Sequence, residues 1–351
     1  MSKPPIEVPQ GAIRLNTDSQ KLEFFAQDQW WEMATDVPNL GGNGGPAGNP
    51  TGNSADQLAS PRGTFSGGHN ASPGYADRID YINIATLGDA TDFGNLTLGR
   101  SATGSVGSRT RGLHGGGYTG SNQDRIDFWT FSTTGDAVDF GNLNDARHWT
   151  QPTSSATRGV WAGGNNGGAT NVIQYVTMAS AGDTIDFGDM SFASAVNANS
   201  SAQSPTRGLL GGGTPGTTNT IEFITIASTG NSQDFGDYTK HTAREGRGSN
   251  SIRAVFGGGT RAEPSISGII DYVTIATAGN ATDFGDLSQA RSNNAGVASP
   301  VRVVFGGGLT PSRVDTMDYI SIATEGRAID FGNLSESRDH LAGCSNAHGG
   351  L

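Results

Sequence analysis

The sequence predicts an all-β chain, a six-bladed β-propeller with an N-terminal β-hairpin arm, and three observations carry that prediction. The tripeptide Asp-Phe-Gly begins at Asp92, Asp139, Asp186, Asp234, Asp283 and Asp330, a period of 47 to 49 residues. Every copy holds an Arg six residues ahead of the end of a glycine run, from Arg62 and Gly68 to Arg302 and Gly308. Every copy also places an apolar residue 13 positions ahead of its Asp-Phe-Gly, from Ile79 to Met317. A unit of this length repeated in phase is a supersecondary motif that buries its apolar faces only by stacking on neighbours.

Residues 1–40 differ from the rest. Alternating apolar residues flank Asn16-Thr17-Asp18-Ser19-Gln20, which reads as the turn of a hairpin within 11–33. Phe24, Phe25, Trp30 and Trp31 are costly to leave in water, so this segment is expected to be an attachment arm. Residues 41–54, rich in Gly, Asn and Pro, cannot build a core and read as a linker to a propeller over 55–351.

Within each repeat, a small-residue stretch such as Ala295 to Ser299 reads as an inner strand, and Arg302 to Gly308 as a second strand ending in a bend. The third, such as Ile270 to Ala276, is apolar on both alternating faces and therefore needs a sheet above and below it. A Gly-Asp or similar pair follows, from Gly88-Asp89 to Gly326-Arg327, and its Gly suits a tight hairpin into the fourth strand. There, Phe93, Phe140, Phe187, Phe235, Phe284 and Phe331 are expected to pack between blades, with Gly permitting a bend and Asp closing a turn or pairing with Arg. Residues 338–351 repeat the start of a blade, so Leu341 to Ala347 should close the ring beside the first blade. The repeats also account for the composition, since 32 of the 54 Gly occupy repeated positions.

The order of Arg291, Phe305-Gly306-Gly307, Tyr319 and Phe331 resembles the kelch motif, with Phe where kelch repeats usually carry Trp. Residues 11–33 resemble a short hairpin module of bacteriophage tail-fibre and other virion proteins. That resemblance implies a virion protein made in the host cytoplasm, present in multiple copies, and contacting other virion proteins through its arm.

Several chemistries are excluded or disfavoured. Asp-Phe-Gly in six copies lacks the Gly-rich nucleotide loop, strand Lys and His-Arg-Asp of a kinase. Neither calcium-loop period is met, and the histidines are scattered over different repeats without metal-ligand spacing. One Cys, Cys344, excludes an internal disulfide, and no apolar run approaches the roughly 18 residues of a membrane span. A net charge of −11 argues against nucleic acid. No catalytic residue, metal site or cofactor is expected.

Arg62, Arg111, Arg158, Arg207, Arg253 and Arg302 admit two readings: a ring about the channel that binds an anion or glycan, or a structural set pairing with Asp of the Ile-Asp-Tyr or Asp-Phe-Gly segments. Repetition in every blade favours the second. The loops between second and third strands, His69 to Arg78, Tyr118 to Arg125, Asn165 to Asn171, Thr214 to Thr220, Thr260 to Gly268 and Leu309 to Thr316, vary most. Their face is the candidate binding surface, with Tyr75, Tyr118, Asn165, Asn166, Thr217, Arg261 and Arg313 as candidate contacts. The functional expectation is a non-enzymatic, tail-associated virion protein presenting its propeller to a protein or host surface glycan. A capsid-surface decoration protein and a glycan-degrading enzyme are the alternatives.

Overall fold

The computed structural model describes residues 12–16, 21–26, 29–32, 61–72, 74–196, 200–213, 219–240, 243–260 and 266–351. The 41–54 linker lies outside them. Two compact units result, Met1–Ala59 and Ser60–Leu351.

In the first unit, Ile13–Asn16, Lys21–Ala26 and Gln29–Glu32 form a three-stranded antiparallel meander. Ile13 lies opposite Phe24 and Leu15 opposite Leu22, as the hairpin pattern requires. The third strand goes beyond that pattern, setting Phe24 opposite Trp31 and Phe25 opposite Trp30, with the Phe25 and Trp30 rings edge to face at 5.3 Å. Three strands succeed here where an isolated hairpin is marginal in water.

The second unit is a six-bladed β-propeller of four-stranded antiparallel sheets, with no helix among the described residues. From the axis outward, blade 2 comprises Gly104–Gly107, Arg111–Gly115, Arg125–Thr130 and Val138–Asn142. Blade 3 comprises Gln151–Ser154, Arg158–Ala162, Val172–Thr177 and Ile185–Asp189. Blade 4 starts on a short strand, Ala202–Gln203, followed by Arg207–Gly211, Thr220–Thr225 and Gln233–Asp237. Gly246–Ser249, Arg253–Gly257, Ile269–Thr274 and Thr282–Asp286 make blade 5. Blade 6 is Ala295–Ala298, Arg302–Gly306, Thr316–Ser321 and Ile329–Asn333, with an extra hairpin, Leu309–Thr310 and Ser312–Arg313, in its second loop.

Blade 1 contributes Arg62–Ser66, Arg78–Asn83 and Thr91–Asn95, and takes its inner strand, Ala342–Ser345, from the far end of the sequence. Ala342 pairs with Ser66 and Cys344 with Thr64, so the ring closes within the predicted segment. Beyond it, residues 346–351 turn under the axis. His348 donates from Nε2 to the Gly107 carbonyl at 2.7 Å, which leaves Nδ1 to accept from Gln203 Nε2 at 2.7 Å and the Gly350 amide at 3.0 Å. The Gly349 amide donates to Ser249 O, so the tail ties blades 2, 4 and 5 together at the ends of their inner strands.

The inner strands are built from small residues because they crowd one another. A Cβ on Gly107 would lie 2.5 Å from Ser345 O, and one on Gly343 2.6 Å from Gly296 O. Outward, the Asp-Phe-Gly strands carry a β-bulge at the Phe, as where Asp139 and Gly141 pair with consecutive residues and Phe140 is left over. That Phe is buried edge to face on the third-strand aromatic, Phe128 in blade 2 and Tyr81 in blade 1, and packs against the next blade, as Phe93 does with Trp129, Phe131 and Ala137. Its carbonyl accepts the amide of the next blade's hairpin Gly, at 2.7 Å from Gly135 to Phe93 and 2.9 Å from Gly88 to Phe331. The Asp of each tripeptide is exposed on the outer strand.

The Arg pairing differs from expectation. Among the described residues, Arg62, Arg111, Arg158, Arg207, Arg253 and Arg302 do not line the channel and do not pair with Asp. Each stacks its guanidinium over the third-strand aromatic, 4.5 to 5.1 Å from the ring centre. Nη1 of each then donates to a carbonyl of the following blade, as from Arg62 to Phe131 O at 2.6 Å and from Arg302 to Ala85 O at 2.9 Å. Backbone carbonyls win because the third-to-fourth-strand turn of the next blade projects its oxygens at that height. The Asp of Ile-Asp-Tyr belongs to a different Arg: Arg100 to Asp127 at 3.0 Å, Arg291 to Asp318 at 2.9 Å and Arg338 to Asp80 at 2.6 Å, all with fully buried side chains. In blades 3 and 4 the Asp is replaced by Gln174 and Glu222, and Arg147 turns instead to Asp145 and the Gly163 carbonyl. On the axis, Arg247 spans to Gln151 Oε1 at 3.2 Å while held by Glu245 at 2.7 Å, filling the centre with side chain.

These contacts set three outcomes. Deleting residues 340–351 removes the inner strand of blade 1 and should lower the melting temperature sharply in calorimetry; an unchanged transition would refute ring closure. Asp127→Ala strands the Arg100 charge in the interior and should cost about 3–5 kcal/mol in urea titrations, with Arg100→Met in the same chain restoring part of it. Burial pushes His348 down to about 4, and its bare Nδ1 accepts two hydrogen bonds that protonation would break. The unfolded chain thus binds the proton more readily, and stability should fall as pH drops from about 6.5 toward 4. His348→Gln should make that part of the profile shallower, the buried His114, also held well below the usual imidazole range, keeping the rest; if it leaves the slope intact, the tail histidine does not contribute to it.

Candidate functional site

Five of the connections between blades pass over the mouth of the axis in a left-handed turn. Ala102, Trp149, Arg244, Asn293 and His340 have φ between 55° and 65°, a region that costs a non-glycine residue roughly 1–2 kcal/mol. They are linked by amide-to-carbonyl bonds running round the axis: Trp149 to Ala102 at 2.8 Å, Ala102 to His340 at 3.0 Å, His340 to Asn293 at 3.0 Å and Asn293 to Arg244 at 2.8 Å. Val196 joins at the Trp149 carbonyl. The backbone is therefore the same at these five positions while the side chain differs at each.

Where that side chain is smallest, at Ala102, a depression of about 500 Å3 opens, with Trp149 and His340 on either side. Its outer wall is made by Tyr75 and His69 from blade 1, Tyr118 from blade 2 and Arg313 from the extra hairpin of blade 6, and its inner rim by Ser101, His148 and Asp339. The aromatic rings run in sequence, His69 to Tyr75 at 5.4 Å, Tyr75 to Tyr118 at 6.3 Å, Tyr118 to His148 at 5.3 Å and His148 to Trp149 at 4.6 Å.

Hydrogen bonds fix the protonation of this wall. Arg313 donates from Nε to Asp339 at 2.7 Å and from Nη2 to His69 Nδ1 at 2.6 Å, so His69 Nδ1 carries no proton. His340 Nδ1 donates to the other Asp339 oxygen at 2.9 Å. Asn122 gives its amide to Asn165 O at 3.1 Å, leaving its oxygen to accept from His148 Nδ1 at 2.7 Å. Burial, and for His69 the Arg313 charge, hold His69 and His148 below the usual imidazole range. Burial alone would raise Asp339, but its bonds to His340 and Arg313 hold it below the usual carboxylate range. The Arg313 and Asp339 charges thus cancel across the depression at neutral pH. No hydroxyl hydrogen-bonds His340 among the described residues, so the Asp339–His340 couple is not extended to a nucleophile. Cys344, the lone thiol, is buried in the inner strand of blade 1, which pushes it up to about 12. Among the described residues no group of His, Cys, Asp and Glu could hold a metal ion.

Of the residues singled out from sequence, Tyr75, Tyr118 and Arg313 meet in this depression. Asn165 supports it from behind through its bridge with His148, whereas Asn166 is exposed and donates to Asp145 at 2.7 Å. Thr217 and Arg261 lie outside the described residues. Phe25 and Trp30 pack on each other in the N-terminal meander, where Phe24 and Trp31 are register partners. His69, His148, Trp149, Asp339 and His340 were not anticipated as a group. A signal for four of them exists: the two residues after the buried Arg read Ser-Ala, His-Trp, Ser-Asn and Asp-His following Arg100, Arg147, Arg291 and Arg338, varying where their surroundings repeat.

Arg313→Ala should raise the His69 pKa, because the guanidinium that disfavours the imidazolium is gone while Asp339 stays; an imidazole NMR titration that shows no rise would break the assignment of this contact. Comparison with known proteins finds no match to any protein-family model and none to any curated protein.

Proposed function

We propose that the protein is a non-enzymatic, tail-associated component of a bacteriophage particle, with the N-terminal meander as its attachment element and the propeller's loop face as a contact for host surface glycan. One observation carries the recognition half: an aromatic-walled depression of about 500 Å3 on the variable-loop face, at the one junction where the ring of connections carries Ala. Tyr and Trp walls with polar tips suit sugar rings, whose C–H faces stack while their hydroxyls hydrogen-bond. Asp339 is the one carboxylate lining the depression and is already held by Arg313 and His340, whereas glycoside hydrolysis uses two. This favours binding over cleavage. The virion half rests on the likeness of residues 11–33 to the phage hairpin module.

Two measurements test the two halves separately. Gold-labelled antibody against the propeller should decorate the tails of intact particles; decoration of the head alone would move the protein to the capsid surface, and its absence from purified particles would sink the virion reading. Purified protein should bind host cells, lose binding after periodate oxidation of surface sugars, and weaken by about tenfold or more in Trp149→Ala. Release of new reducing ends from host polysaccharide would overturn the non-enzymatic reading.

A further inference from the structure

The glycan reading leaves open the kind of sugar, and the hydrogen-bond bookkeeping of the depression narrows it. His148 and His340 each spend their Nδ1 proton on a protein acceptor, Asn122 Oδ1 at 2.7 Å and Asp339 Oδ2 at 2.9 Å. Burial holds His148 below the usual imidazole range, so its other nitrogen is a bare acceptor, and that Nε2 has no protein donor among the described residues. The lining also holds one permanent cation, Arg313, and its charge is taken up by Asp339, whose side chain is 4% exposed. The chain as a whole carries −11. A carboxylated or sulfated sugar would find the Arg313 cation already taken up by Asp339, and the His148 Nε2 lone pair facing it. A sugar hydroxyl meets an acceptor it can donate to.

Resting on the glycan reading, we infer that the depression over Ala102 takes an uncharged sugar ring, stacked on its aromatic wall and donating a hydroxyl proton to Nε2 of His148. The volume falls within the range of small-molecule sites, about 300–1,000 Å3. The repeat supplies an occluding variant. Ala102 and Trp149 occupy equivalent positions with φ of 58° and 59°, so Ala102→Trp introduces a side chain that the same backbone already carries one blade away.

The experiment is a titration of the full-length protein, followed by the Trp149 indole and His148 imidazole NMR signals, with two panels: neutral disaccharides (lactose, maltose, cellobiose, chitobiose) and acidic ones (sialyllactose, digalacturonate). At least one neutral sugar should shift both signals saturably, and the acidic panel should not. Ala102→Trp should abolish the shift while keeping the wild-type thermal transition. His148→Lys, which can only donate, should weaken binding by about tenfold, and His148→Gln, which keeps an acceptor, by no more than about threefold. Equal losses in the Lys and Gln variants would overturn the acceptor role. Acidic sugars binding in place of neutral ones, with Ala102→Trp still abolishing it, would overturn this inference and leave the glycan reading standing. No response from either panel would sink both, and binding unaffected by Ala102→Trp would place the ligand elsewhere.

Discussion

Six strands brought side by side around one axis leave almost no room between their backbones, and much of the sequence follows from that crowding. Positions where a methyl group would meet a neighbour's carbonyl, such as Gly107 against Ser345 and Gly343 against Gly296, have to be glycine. The little space left is filled by hydroxyls bonded to the next strand's backbone, as Ser345 Oγ to Ala298 O at 2.6 Å and Ser249 Oγ to Gln203 O at 2.8 Å. A core built this way is low in large apolar residues without being loose. The composition, 34% hydrophobic with 54 Gly, belongs to a tightly packed molecule.

Apolar mass returns further out, where blades diverge. There each interface repeats three devices: a bulged Phe between sheets, a hairpin Gly amide on its carbonyl, and an Arg that covers an aromatic ring and reaches across to the next blade. The Arg head keeps its charge on carbonyl oxygens, so no counter-ion has to be buried with it. The second set, Arg100, Arg291 and Arg338, pairs instead with Asp, where desolvation is complete and geometry is fixed by extra donors such as Ser335 Oγ to Asp80 at 2.7 Å.

Blade number, strand order and closing segment were legible in the sequence because each is a matter of period and phase, and a period survives whatever the individual contacts are. Which Arg meets which Asp was not. Both Arg sets recur at the repeat period, and only the direction a side chain leaves its strand decides between a carboxylate and a carbonyl. The depression was half legible. Tyr75, Tyr118 and Arg313 come from loops whose variable length marks them out, but His148, Trp149, Asp339 and His340 follow a repeated Arg directly and look like part of the frame. Three histidines from residues 69, 148 and 340 converge only because the ring closes, bringing blade 6 beside blade 1. No linear spacing encodes that.

The closing strand also bears on how the chain folds. Thr64 waits for Cys344, 280 positions downstream, so the edge of Arg62–Ser66 stays unpaired until the last part of the chain has been made. Blades 2 to 6 are local hairpin meanders that can form as they emerge. Blade 1 is made first and finished last. Through that interval its open edge is a template for any passing strand, including the equivalent edge of a neighbouring copy emerging nearby, and the same pairing that seals one ring could link two by exchange of Ala342–Ser345.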